Sequence, residues 1–341
     1  MHIFSVVKSR AAMPARMLRI GVAFFLVGVG NFVYADDTPV HSPEPAALLA
    51  KMSAAMRELN YSGEFSYEHG NKLESFHISH FLQDDQEHET LYRLSGSEQQ
   101  FVRKGATAGC GTIGGRFLEG LSLSFNNGQY FGLDRYYRSV LLGRDRVAGR
   151  YVWVVQLIPK DEFRFGVSLS IDEETHLLVR YVVYDPLKKV GLERLQFVSL
   201  TVGGYEPEPA IVDGATLTIE PQRCIGRVYT PDGQGPWKPA WLPPGFLLIG
   251  YEYTEEDGHM ETYTDGLSSF SIFVKRLPVP AASQGRIQQG VTARGAVMAL
   301  MSTFPIEDES LLVSIIGEIP LPAAQKVSLS MRKISVEGPE G

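Results

Sequence analysis

Residues 151–201 read YVWVVQLIPKDEFRFGVSLSIDEETHLLVRYVVYDPLKKVGLERLQFVSLT, and apolar and polar side chains alternate through them. Tyr151, Trp153, Val155 and Leu157 interleave with Val152, Val154, Gln156 and Ile158. Phe163, Phe165, Val167, Leu169 and Ile171 follow, and Asp172-Glu173-Glu174-Thr175 turns the chain. Leu177, Val179, Tyr181 and Val183 come next, then a turn at Asp185-Pro186-Leu187-Lys188-Lys189, then Leu195, Phe197 and Ser199. A period of two marks strands, because successive side chains of a strand point to opposite faces. Strands joined by short polar turns predict an antiparallel meander. Helices and strands do not alternate regularly, which argues against a parallel nucleotide-binding sheet.

Upstream, Leu48, Leu49, Met52, Met56 and Leu59 recur every three or four residues and predict a helix closed by Asn60. Asp36 to Pro45 reads as a polar, proline-rich arm before it. From Tyr61 the period falls to two. Tyr61, Gly63, Phe65 and Tyr67 share one face of a strand, and Phe76, Ile78, His80 and Leu82 share one face of a second. Thr90 to Leu94 and Gln99 to Arg103 are shorter candidates. Downstream, Gly203-Gly204 and the prolines between Pro207 and Pro239 break any long element, as in a linker or a crossing strand with loops.

A second unit opens at Trp241-Leu242-Pro243-Pro244-Gly245-Phe246. Leu247 to Thr254, Met260 to Thr264, and Phe270, Ile272 and Val274 predict strands, with a tight turn at Asp265-Gly266. Gly295 to Phe304 and Leu311 to Ile316 predict two more. A last helix starts at Pro322, with Ala324, Val327, Met331 and Ile334 as its apolar stripe. The class is α+β, with a large unit at 46–205, a linker at 206–239 and a small unit at 240–336.

The N-terminus points to export. Lys8, Arg10, Arg16 and Arg19 precede the apolar run Ile20 to Val33, and Val33-Tyr34-Ala35 is followed by Asp36-Asp37. This is the pattern of a secretory signal over 1–35, cut between Ala35 and Asp36. The alternative is an uncleaved anchor, but a run of about 14 residues is short of the ~20 that cross a bilayer. The expected compartment is a bacterial periplasm. The net charge is −7, and more negative once the four basic signal residues are removed, which disfavours a nucleic-acid partner. Cys110 and Cys224 are the two cysteines. In an oxidising compartment they can form one disulfide; the alternative is two buried thiols.

No catalytic grouping emerges. Gly109-Cys110-Gly111-Thr112-Ile113-Gly114 fits a dinucleotide fingerprint in letters alone, with no helix pattern behind it. His77 and His80, three apart on a strand, face opposite ways and cannot easily share a metal. A serine elbow and zinc-type spacings are absent from the sequence. The reading is a binding protein without cofactor, not an enzyme. Arg144, Arg146 and Arg150 form a dense basic segment, suited either to an anionic headgroup or partner, or to internal ion pairs with nearby acids.

Several stretches, in order, resemble the MucB/RseB family of periplasmic regulators of envelope-stress sigma factors. They are Leu59-Asn60-Tyr61, Glu74 to His80, Leu94-Ser95-Gly96, Phe101 to Gly105, Gly143 to Arg150, Trp241 to Phe246, Tyr263 to Ser271 and Gly317-Glu318-Ile319-Pro320. The resemblance covers Ala46 to about Ile334, and Tyr263-Thr264-Asp265-Gly266-Leu267-Ser268-Ser269-Phe270-Ser271 is its most specific part. It implies a large open β-barrel domain similar to LolA-type lipoprotein carriers, a smaller domain, and a hinge. It implies a partner, the periplasmic part of a transmembrane anti-sigma factor, which is shielded from proteolysis. It also implies release by lipopolysaccharide or by the acyl chains of a mislocalised lipoprotein. Homo-oligomerisation stays open. The competing reading is a periplasmic lipid or lipoprotein carrier, with Phe65, Tyr67, Trp153, Phe163 and Phe165 lining an apolar concavity; a carrier has no need of the second unit.

Overall fold

A computed structural model of the chain describes residues 42–84, 86–104, 133–204, 215–219, 237–255, 258–277, 288–306 and 309–333. The signal with its Ala35–Asp36 cut, the Gly109–Gly114 segment, Cys110 and Cys224 lie outside these residues.

The chain is mostly antiparallel β-sheet with few helices. Helix α1 (Pro45–Glu58) opens with proline in its first turn, where a missing N–H costs nothing. It buries Leu48, Leu49, Met52 and Met56, the face given by the helical spacing. Asn60 does not close it. The chain leaves at Leu59 in an extended conformation, φ −92° and ψ 142°. Asn60 instead ties strands together: its Oδ1 accepts from Leu82 N at 3.0 Å and its carbonyl from Gly203 N at 2.8 Å.

Strands β1 (Tyr61–His69), β2 (Lys72–Gln83), β3 (Gln86–Arg93) and β4 (Gln99–Lys104) form one run of antiparallel neighbours. A one-turn helix α2 (Leu133–Tyr136) leads into a second. That run is β5 (Tyr137–Val147), β6 (Arg150–Pro159), β7 (Gly166–Asp172), β8 (Leu178–Asp185) and β9 (Val190–Val202). Strand β9 returns to pair with β1, Tyr61 opposite Val202. Strand β10 (Ala215–Ile219), within the stretch read as linker or crossing strand, lies parallel to β4. The resulting ten-stranded sheet has the order β10-β4-β3-β2-β1-β9-β8-β7-β6-β5. Helix α1 packs across one face of it. Met52 joins Phe65, Phe76, Ile78, Leu91, Leu157, Leu169, Leu195 and Phe197 in one buried cluster drawn from both runs.

A two-stranded ribbon pairs β11 (Trp237–Pro239) with β18 (Met331–Lys333). Strands β12 (Leu247–Thr254), β13 (Gly258–Thr264), β14 (Ser269–Leu277), β15 (Gln288–Arg294), β16 (Val297–Ile306) and β17 (Glu309–Glu318) form a second sheet, order β12-β13-β14-β17-β16-β15. Helix α3 (Leu321–Leu329) covers its inner face, with Ala323, Ala324 and Val327 against Ile272, Leu300, Val313 and Ile315. The helix is shorter than its apolar stripe suggests. Ser330 ends it by returning its N–H to the Lys326 and Val327 carbonyls, and Met331 enters β18.

The aromatic residues offered for one concavity are divided. Phe65 is in the core beneath α1, with Tyr67 and Trp153 packed at its margin. Phe163 packs on the second sheet's cluster, and Phe165 joins Val183 and Ala296 in a third.

Candidate functional site

The largest fully buried side chain is a charged one, Arg164, 1 % exposed. It lies in the loop between β6 and β7. Asp161 shapes that loop, accepting from Phe163 N at 3.0 Å and from Arg164 Nε at 3.0 Å. The rest of the guanidinium reaches the second sheet. Nη1 donates to Asp265 Oδ2 at 2.7 Å, and Nη2 to the Pro244 carbonyl at 2.5 Å. Tyr136, Tyr137 and Phe246 surround it, with ring centres 4.8, 5.5 and 5.5 Å away. Such cation–π placement is strongest when, as here, water is excluded.

Asp265 is equally fixed. It follows β13 directly and caps the hairpin to β14, its Oδ1 accepting from Leu267 N at 3.0 Å and Ser268 N at 2.9 Å. The Tyr137 hydroxyl donates to Oδ2 at 2.8 Å. Each carboxylate oxygen therefore holds two donors, one pair from its own turn and one pair from the large sheet. Burial, and then the Asp265 charge, push the Tyr137 pKa well above the ordinary value, so the hydroxyl stays a donor. Burial alone would lower the Arg164 pKa; the hydrogen bond to Asp161 and the Asp265 charge outweigh it, so the guanidinium stays charged. Gly245 has φ +87°, and a Cβ there would sit 2.2 Å from the Tyr136 ring. Only glycine takes that conformation and admits that ring so close.

Two flanking contacts complete the joint. Glu193 of β9 accepts from Ala296 N at 2.9 Å and from the Tyr67 hydroxyl at 2.8 Å. Phe163 meets Trp241 edge-on at 4.9 Å, and Lys326 Nζ lies 4.0 Å from the Trp241 ring centre. Beside this loop opens a shallow depression of about 440 Å³, lined by Pro159, Phe163, Pro186 and Leu187 among others.

The arginines singled out in sequence lie elsewhere, on the hairpin of β5 and β6. Arg144 grips Glu173 with two nitrogens and stands 5.1 Å from the Trp153 ring centre. Arg150 forks onto Asp172 at 2.7 and 3.1 Å. Arg146 donates to the Gly149 carbonyl at 3.3 Å. Two of the three are thus held by acids of this chain, and an outside anion would have to compete with Glu173 and Asp172. Among the described residues, no three His, Cys, Asp and Glu side chains gather as for a metal ion.

Asp172 gives a pH prediction. Burial raises its pKa, but the hydrogen bonds from Arg150 and Thr175 outweigh this, and the net shift is below 3.8. A carboxylate with a depressed folded pKa stabilises the fold above its unfolded pKa, and loses that contribution as pH falls through the folded value. Stability should therefore drop on acidification below about pH 4. Asp172→Asn should be less stable at neutral pH and show a shallower acid loss, checked by urea titrations from pH 7 to pH 2. Parallel acid limbs for the two proteins would contradict the assignment.

The joint was missed in sequence, although a signal existed. Arg164 stands between Phe163 and Phe165 in a run otherwise read as strand. Its acceptors across the joint fall in two of the stretches that carried the family likeness, Pro244 in Trp241–Phe246 and Asp265 in Tyr263–Ser271.

These features define a two-sheet scaffold built around a buried ionic joint. Family models for the MucB/RseB N-terminal domain and the MucB/RseB C-terminal domain match residues 44–222 and 231–332. The chain belongs to the MucB/RseB family. Among its relatives is the sigma factor AlgU regulatory protein MucB of Pseudomonas aeruginosa, 29 % identical over 298 residues, 83 % of this chain and 89 % of that protein. Another is the sigma-E factor regulatory protein RseB of Escherichia coli K12, 24 % identical over 340 residues, 93 % of this chain and 98 % of that protein. MucB in complex with MucA(peri) superposes with a TM-score of 0.68 at 26 % identity, over 86 % of this chain and 100 % of that one. MucB alone gives 0.58 at 27 % identity, over 86 % of this chain and 99 % of that one.

Proposed function

We propose that this protein is a periplasmic negative regulator of an extracytoplasmic-stress sigma factor. It binds the periplasmic part of a transmembrane anti-sigma factor and shields it from proteolysis. The observation that carries this reading is the match along both family domains to relatives named as sigma-factor regulators, one of them solved with MucA(peri). The C-terminal match favours regulator over carrier, since a carrier needs no second domain. Its role is binding, not catalysis.

The finer features belong to the same proposal. Residues 1–35 direct export and are removed between Ala35 and Asp36. Cys110 and Cys224 form a disulfide. The domains run over 46–205 and 240–336 with a linker at 206–239, the first an open barrel of LolA type. Arg146, whose partner is a carbonyl, is the arginine of the trio most available to an anionic headgroup or partner. Lipopolysaccharide or lipoprotein acyl chains act as the releasing signal. Met52, Ile78 and Leu169 are fully buried in one cluster beneath α1, so an acyl chain entering there must part α1 from its sheet.

The test is protection. The periplasmic segment of the cognate anti-sigma factor is digested with a protease that cleaves it when free, with and without the purified protein. Slower cleavage in its presence, restored by added lipopolysaccharide, is the expected result. Equal cleavage rates with and without a folded protein would refute the regulator reading.

A further inference from the structure

We infer that Arg164 and Asp265 are positioning residues for partner binding: their buried pair sets the angle between the ten-stranded and six-stranded sheets at which the partner is bound. This rests on the regulator reading. The pair is the one contact between the sheets in which both side chains are charged and fully buried among the described residues. The guanidinium is a planar fork, so its three engaged directions are mutually fixed. One points to Asp161 in its own loop, and two point to Asp265 and the Pro244 carbonyl across the joint. Asp265 cannot follow a moving Arg164, because its other oxygen is held by two backbone N–H groups of its own turn. Turning one sheet against the other breaks this pair, leaving Asp265 without its cation and Arg164 with Asp161 as its one counter-charge, and breaking a buried pair is strongly destabilising. The pair thus selects one angle between the sheets. In the comparison of solved relatives, the chain superposes better on MucB with MucA(peri) than on MucB alone.

The experiment uses the full chain, spin-labelled through a noncanonical amino acid at positions 151 and 301, which are 67 % and 52 % exposed, one on each sheet. Inter-label distances are measured by pulsed electron resonance. Affinity for the periplasmic segment of the anti-sigma factor is measured by fluorescence anisotropy on the same samples. The variant is Asp265→Asn, which keeps an oxygen for the turn but directs an NH₂ at Arg164 and Tyr137. The unsubstituted protein should give one narrow distance and saturable binding. Asp265→Asn should broaden the distance and weaken binding at least tenfold. A narrow, unshifted distance in folded Asp265→Asn overturns the positioning role. So does a broadened distance with unchanged affinity. If the unsubstituted protein gives a narrow distance that Asp265→Asn broadens, yet binds no segment, the regulator reading fails and the partner-binding part with it. Should Asp265→Asn not fold, Tyr137→Phe, which removes one hydroxyl from Asp265, should broaden the distance and weaken binding about threefold; no change in either overturns the inference.

Discussion

Asp265→Ala should lower the free energy of unfolding by about 3–5 kcal/mol, the loss typical of removing one partner from a buried ion pair. The variant leaves Arg164 with Asp161 and the Pro244 carbonyl but without its opposing charge across the joint. It also leaves the Tyr137 hydroxyl and two N–H groups of the Leu267–Ser268 turn without an acceptor. Urea unfolding at neutral pH measures the effect. Salt should rescue little of it, because a pair this deeply buried is poorly screened. A loss below about 1 kcal/mol, the range of exposed pairs, would mean that the joint is wet and that its charges carry little.

Phe65→Ala should cost a similar amount, about 3–5 kcal/mol, through lost burial and the cavity left behind. Phe65 is where the two halves of the large sheet meet beneath α1. Its ring centre lies 5.4 Å from Phe76 of β2 and 5.6 Å from Phe197 of β9. Leu73→Ala, at a position 69 % exposed, is the control and should change stability by less than about 0.5 kcal/mol. Equal losses at the two positions would show that β1 is not the seam of the core.

Local order was legible in the residues, and long-range closure was not. The period-two runs of 151–201 became β6 to β9 almost as read, because each strand of the meander pairs with its sequence neighbour. Tyr61, Gly63 and Phe65 are buried as their alternation implies. The pairing of β1 with β9 has no local signature, since its register is set by residues over a hundred positions apart. The edge strand β15 has no such signature for a related reason: an edge strand need not bury a continuous face. The final helix was read too long because Met331 keeps the helical spacing, while the Ser330 hydroxyl reaches Trp241 and Val327 and diverts the chain.

The site divides in the same way. Asp265-Gly266 was visible as a turn, but a turn aspartate gives no sign that its second oxygen serves another sheet. The arginine cluster at Arg144, Arg146 and Arg150 stood out because its members are close in sequence. Glu173 and Asp172, which hold two of them, come from the end of β7 and the turn to β8. Arg164 stands between two phenylalanines, and its acceptors on the second sheet are 80 and 101 residues away.

The most direct test of the account is a calorimetric titration of the purified protein with the periplasmic segment of its cognate transmembrane anti-sigma factor. Binding should be saturable, with affinity at least tenfold weaker in folded Asp265→Asn. Absence of saturable heat from a protein shown to be folded by its unfolding transition would refute binding.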